Sequence, residues 1–326
     1  MTTNDQIGAL SVVPQELENL KKRITDAAIP KSTSSNFRLL TWNIRNLNGN
    51  KEDKAVAYIA EVCRNFDIIA IQETKDDLGG LEKLQKELPQ YRFLFSDTAG
   101  NSERLVFVYD KTNVQFTGLA AEVVMAPGAQ REDPKKDKEK KPELEFDRSP
   151  YMASFRVNGC NFILVTVHIY YGSGQGVKYR LEEIQNIAKY LKKSSADTDA
   201  LDSDYIICGD FNIEQVHEEM KKASEKDDGS KEILKKLFGA LISEGLIIPE
   251  QIQNSPSNLD RTKHFDQIGY QHYPDSTIEF KKGGVIDFVG VVYIGDEKLK
   301  FKMTDHLPMW AEFSTSVDTK PKYINP

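Results

Sequence analysis

Residues 37–43, Phe-Arg-Leu-Leu-Thr-Trp-Asn, and 67–73, Asp-Ile-Ile-Ala-Ile-Gln-Glu, set the reading of this chain, because each is a short apolar run that stops on a polar side chain. Runs of this length and composition predict β-strands. The same shape recurs at 161–168, which closes on His168, and at 205–210, which closes on Asp210. Elsewhere the polar group comes first: Glu103 opens the run to Asp110, Asp266 opens 266–270, and Asp305-His306 precedes Met309–Phe313. Further strands are expected at 91–96, 151–157 and 285–293, with Asn158-Gly159 as a hairpin turn. Helices are expected near 51–65, 79–88, 176–193 and 231–243. Many strands with few crossover helices point to an α+β fold.

In a sheet with antiparallel pairs, the end of one strand lies beside the start of its neighbour. Asn43, Glu73, Glu103, His168, Asp210, Asp266, Asp305 and His306 are therefore expected at one edge. Each has a structural reading of its own. Asn43 can end a strand, Asp210 in Gly-Asp-Phe-Asn can form an Asx-turn, Glu73 and Asp266 can be ion-pair partners, and His168 can be an interior histidine. Taken together they suit phosphate-ester hydrolysis. Carboxylates suit a hard cation such as Mg²⁺ or Mn²⁺, amides hold phosphate oxygens without adding charge, and imidazoles move protons near neutral pH.

At these residues the chain resembles the endonuclease/exonuclease/phosphatase superfamily, and within it the deoxyribonuclease I-like enzymes. The matching pieces run in order from about Phe37 to Phe313: Thr-Trp-Asn-Ile-Arg (41–45), Ile-Gln-Glu (71–73), Glu-Arg (103–104), Arg-Ser-Pro (148–150), Val-His (167–168), Gly-Asp-Phe-Asn (209–212), Phe-Asp-Gln-Ile (265–268) and Thr-Asp-His-Leu-Pro (304–308). The resemblance implies a four-layer sandwich of two mixed sheets flanked by helices. It implies that Glu73 is the main metal ligand, assisted by Asn43 and Asp305, and that Asn43, Asn212, Arg45 and Arg148 hold phosphate. It implies two acid–base pairs, His168 with Glu103 and His306 with Asp266, with Asp210 orienting or deprotonating the water. Mg²⁺ or Mn²⁺ is the expected cofactor, with Ca²⁺ as an additional structural ion. Asp287 in Val-Ile-Asp-Phe-Val is a rival to Asp266 and is read as structural.

The expected activity is metal-dependent endonucleolytic cleavage of DNA. The alternative is a phosphoesterase of the same superfamily acting on a phospholipid head group, in the manner of sphingomyelinases, or on a small phosphodiester. A catalytically inactive interaction module is a third reading. The net charge of −7 disfavours non-specific coating of nucleic acid and leaves a compact metal-assisted site open. No apolar run reaches the length of a membrane helix, and the N-terminus lacks a signal-peptide pattern, so a cytoplasmic protein is expected. The three cysteines, Cys63, Cys160 and Cys208, are expected as free buried thiols.

Residues 1–35 read as a solvated tail, with a short amphipathic helix from Pro14 (Leu17, Leu20, Ile24, Ala28) and a polar linker. The catalytic domain is expected over 36–316, with a mobile charged insertion at about 127–147 and a C-terminal tail at 317–326. Residues 222–230 form a second polar break.

Overall fold

The computed structural model describes residues 12–124, 146–172, 176–197, 202–214, 230–271, 273, 275–296 and 298–317. Most of the charged insertion expected at 127–147, of the polar break at 222–230 and of the C-terminal tail at 317–326 lies outside these residues. Two mixed sheets form the centre. The first has strands in the order β10 (Ile278–Val285), β11 (Met309–Thr315), β1 (Asn36–Leu47), β2 (Ile68–Lys75), β4 (Glu103–Asp110) and β3 (Tyr91–Phe95). The second has β5 (Val114–Glu122), β6 (Tyr151–Val157), β7 (Cys160–His168), β8 (Tyr205–Asp210) and β9 (Asp266–Tyr270). Each contains one parallel pair, β1 with β2 and β7 with β8.

The period of two along a strand sorts the side chains of β1 between two cores. Phe37 and Leu39 face the second sheet and join a core with Phe107, Phe155, Phe162 and Leu164. Leu40, Trp42 and Ile44 face the other way, into a core with α2 (Asp53–Cys63) and α3 (Gly79–Glu87). On the second sheet, α4 (Val177–Ser195) and α5 (Ser230–Ile242) add Ile184, Ile187, Leu191, Leu237 and Leu241 to the first core. Helices, sheet, sheet and helices make the expected four layers. Short helices α6 (Glu250–Gln253) and α7 (Leu299–Lys302) sit in the connections.

Asn158 and Gly159 both take positive φ (52° and 83°) and turn β6 into β7, as the dipeptide predicts. All three cysteines are buried and free. No described helix is long and apolar enough to cross a membrane.

Two expectations need correction, and two strands fall outside the expected set. The apolar stretch 285–293 is not a strand beyond Val285; Ile286, Phe288 and Val292 are loop side chains that cap the outer core beside Trp42. Hydrophobicity reports its burial, but a loop covering a core carries the same signal as a strand. Strands β5 and β10 give no clear signal in the sequence because their burial is broken by exposed residues, as at sheet edges. The helix that begins at Pro14, α1 (Pro14–Asp26), is docked and not solvated: Leu20 and Ile24 are buried, and Glu16 accepts the Tyr58 hydroxyl at 2.6 Å and pairs with Lys54 at 2.8 Å.

The entry to the first sheet is pinned by Asp67. Its carboxylate accepts the Arg38 backbone N–H at 2.8 Å and the guanidinium at 2.9 Å, with Ser32 and Asn113 at 3.1 and 3.0 Å. Burial alone would raise its pKa, but the Arg38 contacts outweigh that and hold the group below the usual carboxylate value. Asp67→Ala is expected to cost about 3–5 kcal/mol by urea unfolding, since it strands a guanidinium that is largely buried. For Asp67→Asn the deficit should be full above the unfolded value of about 3.9 and shrink as pH falls through the folded value, where the parent carboxyl is itself protonated. A deficit that grows on acidification contradicts this assignment.

Candidate active site

Strand register assembles the polar set. His168 at the end of β7 is the register partner of Asp210 at the end of β8, and Asp210 is the partner of Asp266 at the start of β9. Three of the candidate side chains thus stand in a row across the second sheet. In the first sheet Asn43 lies opposite Gln72, and Lys75 opposite Glu103.

Alternation by itself would turn Glu73 away from the second sheet, since Gln72 faces it. A register shift between Ile71 and Thr74, with Glu73 at φ 61°, re-aims the carboxylate toward the site. A similar irregularity follows Asn43, where Arg45 and Asn46 have φ of 41° and 51°. Asn212 is held at φ 53°. Gly209, at φ +140°, admits no side chain: a Cβ there would lie 2.1 Å from the Val167 carbonyl oxygen. This close approach lets β8 deliver Asp210 beside His168.

Asn43 joins the sheets. Its Nδ2 donates to Glu73 Oε1 and to Asp210 Oδ2, each at 3.0 Å, and its Oδ1 accepts the Arg45 N–H at 3.0 Å. Asp210 Oδ1 accepts the Asn212 backbone N–H at 2.9 Å. The Asx-turn and site readings of Asp210 are thus compatible, because one carboxylate oxygen serves each. The other oxygen, Oδ2, lies 3.5 Å from His168 Nε2 and 3.6 Å from His306 Nε2.

Each imidazole has a carboxylate behind it. His168 Nδ1 is 3.0 Å from Glu103 Oε2, and His306 Nδ1 is 2.7 Å from Asp266 Oδ2. Burial disfavours charge on His306, but Asp266 and Asp210 prevail and raise its pKa. Burial also works against the Glu103 carboxylate. His168, Arg148 and Lys75 overcome it and hold Glu103 down at about 2.

The remaining expected residues are placed as follows. Arg45 pairs with Asp305, and its guanidinium carbon lies 4.9 Å from the Phe301 ring centre. Arg148 is buried, with Nε on Glu103 at 2.7 Å and Nη1 near Asp147 at 3.1 Å, so it supports Glu103 from behind the site. Asn212 is nearly buried and donates to the Ile169 carbonyl at 2.7 Å. Asp287 lies away from His306, paired with Arg261 and accepting the Val289 N–H at 3.0 Å.

For a metal, the side chains divide clearly. Glu73, Glu103 and His168 offer ligand atoms within 4.8 Å of one another. Glu103, however, is already neutralised by Lys75 at 2.8 Å and Arg148 at 2.7 Å. Asp305 is neutralised by Arg45, and Asn43 turns its N–H donors toward two carboxylates, which draws its amide into a bridge. Glu73 is half-exposed, and among the described residues it forms no salt bridge with a lysine or arginine. It is the carboxylate whose charge best fits a divalent cation.

Two supporting residues escape a reading of the sequence. Gln72 donates to Thr41 at 3.2 Å and to Thr166 at 2.9 Å, a second polar bridge between the sheets. Lys51, buried at 5% exposure, donates to the carbonyls of Ile44 at 2.9 Å, Arg45 at 2.6 Å and Met303. Burial lowers its pKa to about 8. A lysine in Gly-Asn-Lys-Glu-Asp gives no local sign of this, because its acceptors come from the end of β1 and from a loop 252 residues on. Lys51→Met removes every one of these donors, and a loss on the order of 3 kcal/mol is expected for the orphaned carbonyls. An unchanged urea midpoint would show that the lysine holds nothing together.

Comparison with known proteins agrees with this architecture. The sequence profile described as "Endonuclease/Exonuclease/phosphatase family" matches residues 40–277. A "Deoxyribonuclease" of Thioalkalivibrio sp. (strain K90mix) is 26% identical over 301 residues, covering 87% of this chain and 73% of that protein. Among solved structures, Danio rerio TDP2 complexed with a single-strand DNA product is similar at TM-score 0.57 and 16% identity, over 86% of this chain and 99% of that one. A mannosyl-6-phosphatase of Bacteroides thetaiotaomicron gives TM-score 0.57 and 16% identity over 85% and 99%. At these identities the solved structures speak for the fold alone. With most of its length matched and its polar groups gathered where the two sheets meet, the chain belongs to the endonuclease/exonuclease/phosphatase family.

Proposed function

We propose that the protein is a divalent-metal-dependent endonuclease that hydrolyses DNA phosphodiester bonds. The observation that carries this reading is the Asp210 carboxylate between two imidazoles, 3.5 Å from His168 and 3.6 Å from His306, each imidazole backed by its own acid. Phosphodiester hydrolysis asks for a proton to be taken from water and another to be given to the departing sugar oxygen. Two distinct imidazoles on one carboxylate meet that demand.

His168, oriented by Glu103, takes the proton of the attacking water as the oxygen–phosphorus bond forms. The bond from phosphorus to the sugar oxygen breaks, and that oxygen receives the proton of His306, which Asp266 and Asp210 keep cationic. Asp210, within 3.6 Å of both Nε2 atoms, orients the attacking water. Asn212 and Arg45 hold phosphoryl oxygens. The cation would be held by Glu73, with Asn43 setting the position of that carboxylate. Mg²⁺ or Mn²⁺ suits oxygen ligation there and supplies charge stabilisation at the phosphoryl group.

DNA as substrate is supported by the deoxyribonuclease relative and by the likeness to Danio rerio TDP2 complexed with a single-strand DNA product. A small phosphate ester is the second reading, favoured by the net charge of −7 and by the phosphatase neighbour. Plasmid nicking in excess Mg²⁺ or Mn²⁺ separates them. The parent should nick DNA, chelator should abolish the activity, and His168→Ala and His306→Ala should each lower kcat by roughly 10²–10⁴-fold. If plasmid stays intact while an aryl phosphodiester or a sugar phosphate is turned over, the DNA reading is wrong.

A further inference from the structure

Helix α4 covers the second sheet with Ile184, Ile187 and Leu191, yet it also carries two charged side chains to nearly full burial, Arg180 at 1% and Glu183 at 2% exposure. They lie one turn apart and direct their hydrogen bonds at backbone groups of the loops around the site. Glu183 Oε1 accepts the Asp147 N–H at 2.7 Å, and Oε2 accepts the Tyr170 N–H at 2.8 Å. Arg180 donates through Nη1 to the Asn212 carbonyl at 2.7 Å, and through Nη2 to the carbonyls of Gly172, at 2.7 Å, and Tyr171.

The two oxygens of Glu183 are the ends of one closed circuit of contacts. Asp147 precedes Arg148, whose Nε holds Glu103 Oε2 at 2.7 Å and whose Nη1 lies 3.4 Å from the His168 carbonyl oxygen. Glu103 Oε2 in turn lies 3.0 Å from His168 Nδ1. From His168 the backbone runs two residues to Tyr170, and so back to Glu183. The imidazole is thus held at Nδ1 through Arg148 and Glu103, and at its backbone through the loop that follows β7. Arg180 fixes the next two residues of that loop and refers them to Asn212, whose Nδ2 donates to the Ile169 carbonyl. Burial of a carboxylate is costly and pushes the Glu183 pKa up, while the two N–H donors favour its charged form. A side chain that only filled space under the sheet would be apolar, as Ile184 and Ile187 are. Two amides presented to α4 from both arms of the circuit call for an acceptor with two oxygens.

We infer that Glu183 is a positioning residue for His168: by fixing the backbone at Asp147 and Tyr170 it sets the direction of the imidazole toward the attacking water. The inference rests on the hydrolytic reading of His168 and deepens it. Because Glu183 is bonded to backbone groups behind the site, its effect on the reaction must pass through His168.

Heteronuclear NMR of the histidine rings in the full chain, in chelator, reads this without catalysis; the chain has five histidines, so the signals are few. Glu183→Gln leaves one acceptor for two amides and sets an NH₂ against the other. It should displace the His168 ring signals while those of His306, paired with Asp266 across the site, stay in place. In Mg²⁺-dependent plasmid nicking the same variant should lower kcat by roughly 10–100-fold, yet by less than about twofold when His168 is already alanine. Circular dichroism melts check folding; if Glu183→Gln is unfolded, Glu183→Asp, which retracts both oxygens by one methylene, replaces it with the same expectations. His168 signals that ignore the change overturn the inference, as does a displacement shared equally by His306, the mark of general loosening. A loss of kcat that persists in full beside His168→Ala overturns it too. If the His168 signals move while the parent cleaves neither DNA nor an aryl phosphodiester in Mg²⁺, the hydrolytic reading fails and the placement of the ring by Glu183 stands. Metal-dependent cleavage with His168 signals indifferent to Glu183 does the reverse.

Discussion

The site depends on one amide. Asn43, nearly buried on the first sheet, gives its side-chain NH₂ to Glu73 on the same sheet and to Asp210 on the second. Two neighbouring carboxylates repel each other, and the buried one, Asp210, is costly to desolvate. An amide that donates to both satisfies one oxygen of each without fixing a second cation there. It also couples the sheets: the position of Asp210, and through it of both imidazoles, is referred to a residue of β1. Gln72, between Thr41 and Thr166, repeats the device one layer deeper.

Around that bridge the backbone departs from regular strand geometry. Arg45, Asn46, Glu73 and Asn212 all take positive φ without being glycine. Such residues cost on the order of 1–3 kcal/mol each and persist where surrounding structure enforces them. Here the enforcement is visible: the Asn46 N–H is held by Glu73, the Arg45 carbonyl by Lys51, and the Asn212 N–H by Asp210. The apolar sheets on either side offset the cost. The return is direction, because regular alternation would have faced Glu73 away from the other carboxylates.

Much of this is legible in the sequence. The strands that carry His168, Asp210 and Asp266 end or begin on those residues, whereas β1 runs on to Leu47 and only its register on β2 shifts after Asn43. The pairing of His306 with Asp266, and the diversion of Asp287 to Arg261, hinge on which carboxylate sits at a strand edge and which in a loop. What stays hidden depends on long-range contact. Lys51 has its acceptors on two distant segments, and Arg148 reads as a phosphate ligand until the structure commits its Nε to Glu103. The docking of α1 on Tyr58 and Lys54 is equally invisible, since an amphipathic helix shows an apolar face but not what covers it.

If Asn43 acts on the chemistry by holding Asp210, the two residues must function as a unit. A double-mutant cycle on kcat for Mg²⁺-dependent DNA cleavage, with Asn43→Ala, Asp210→Ala and the double variant, measures this directly. Strong non-additivity is expected, with the loss in the double variant falling well short of the product of the two single losses. Losses that simply multiply would mean that Asn43 and Asp210 work independently, and would contradict that coupling.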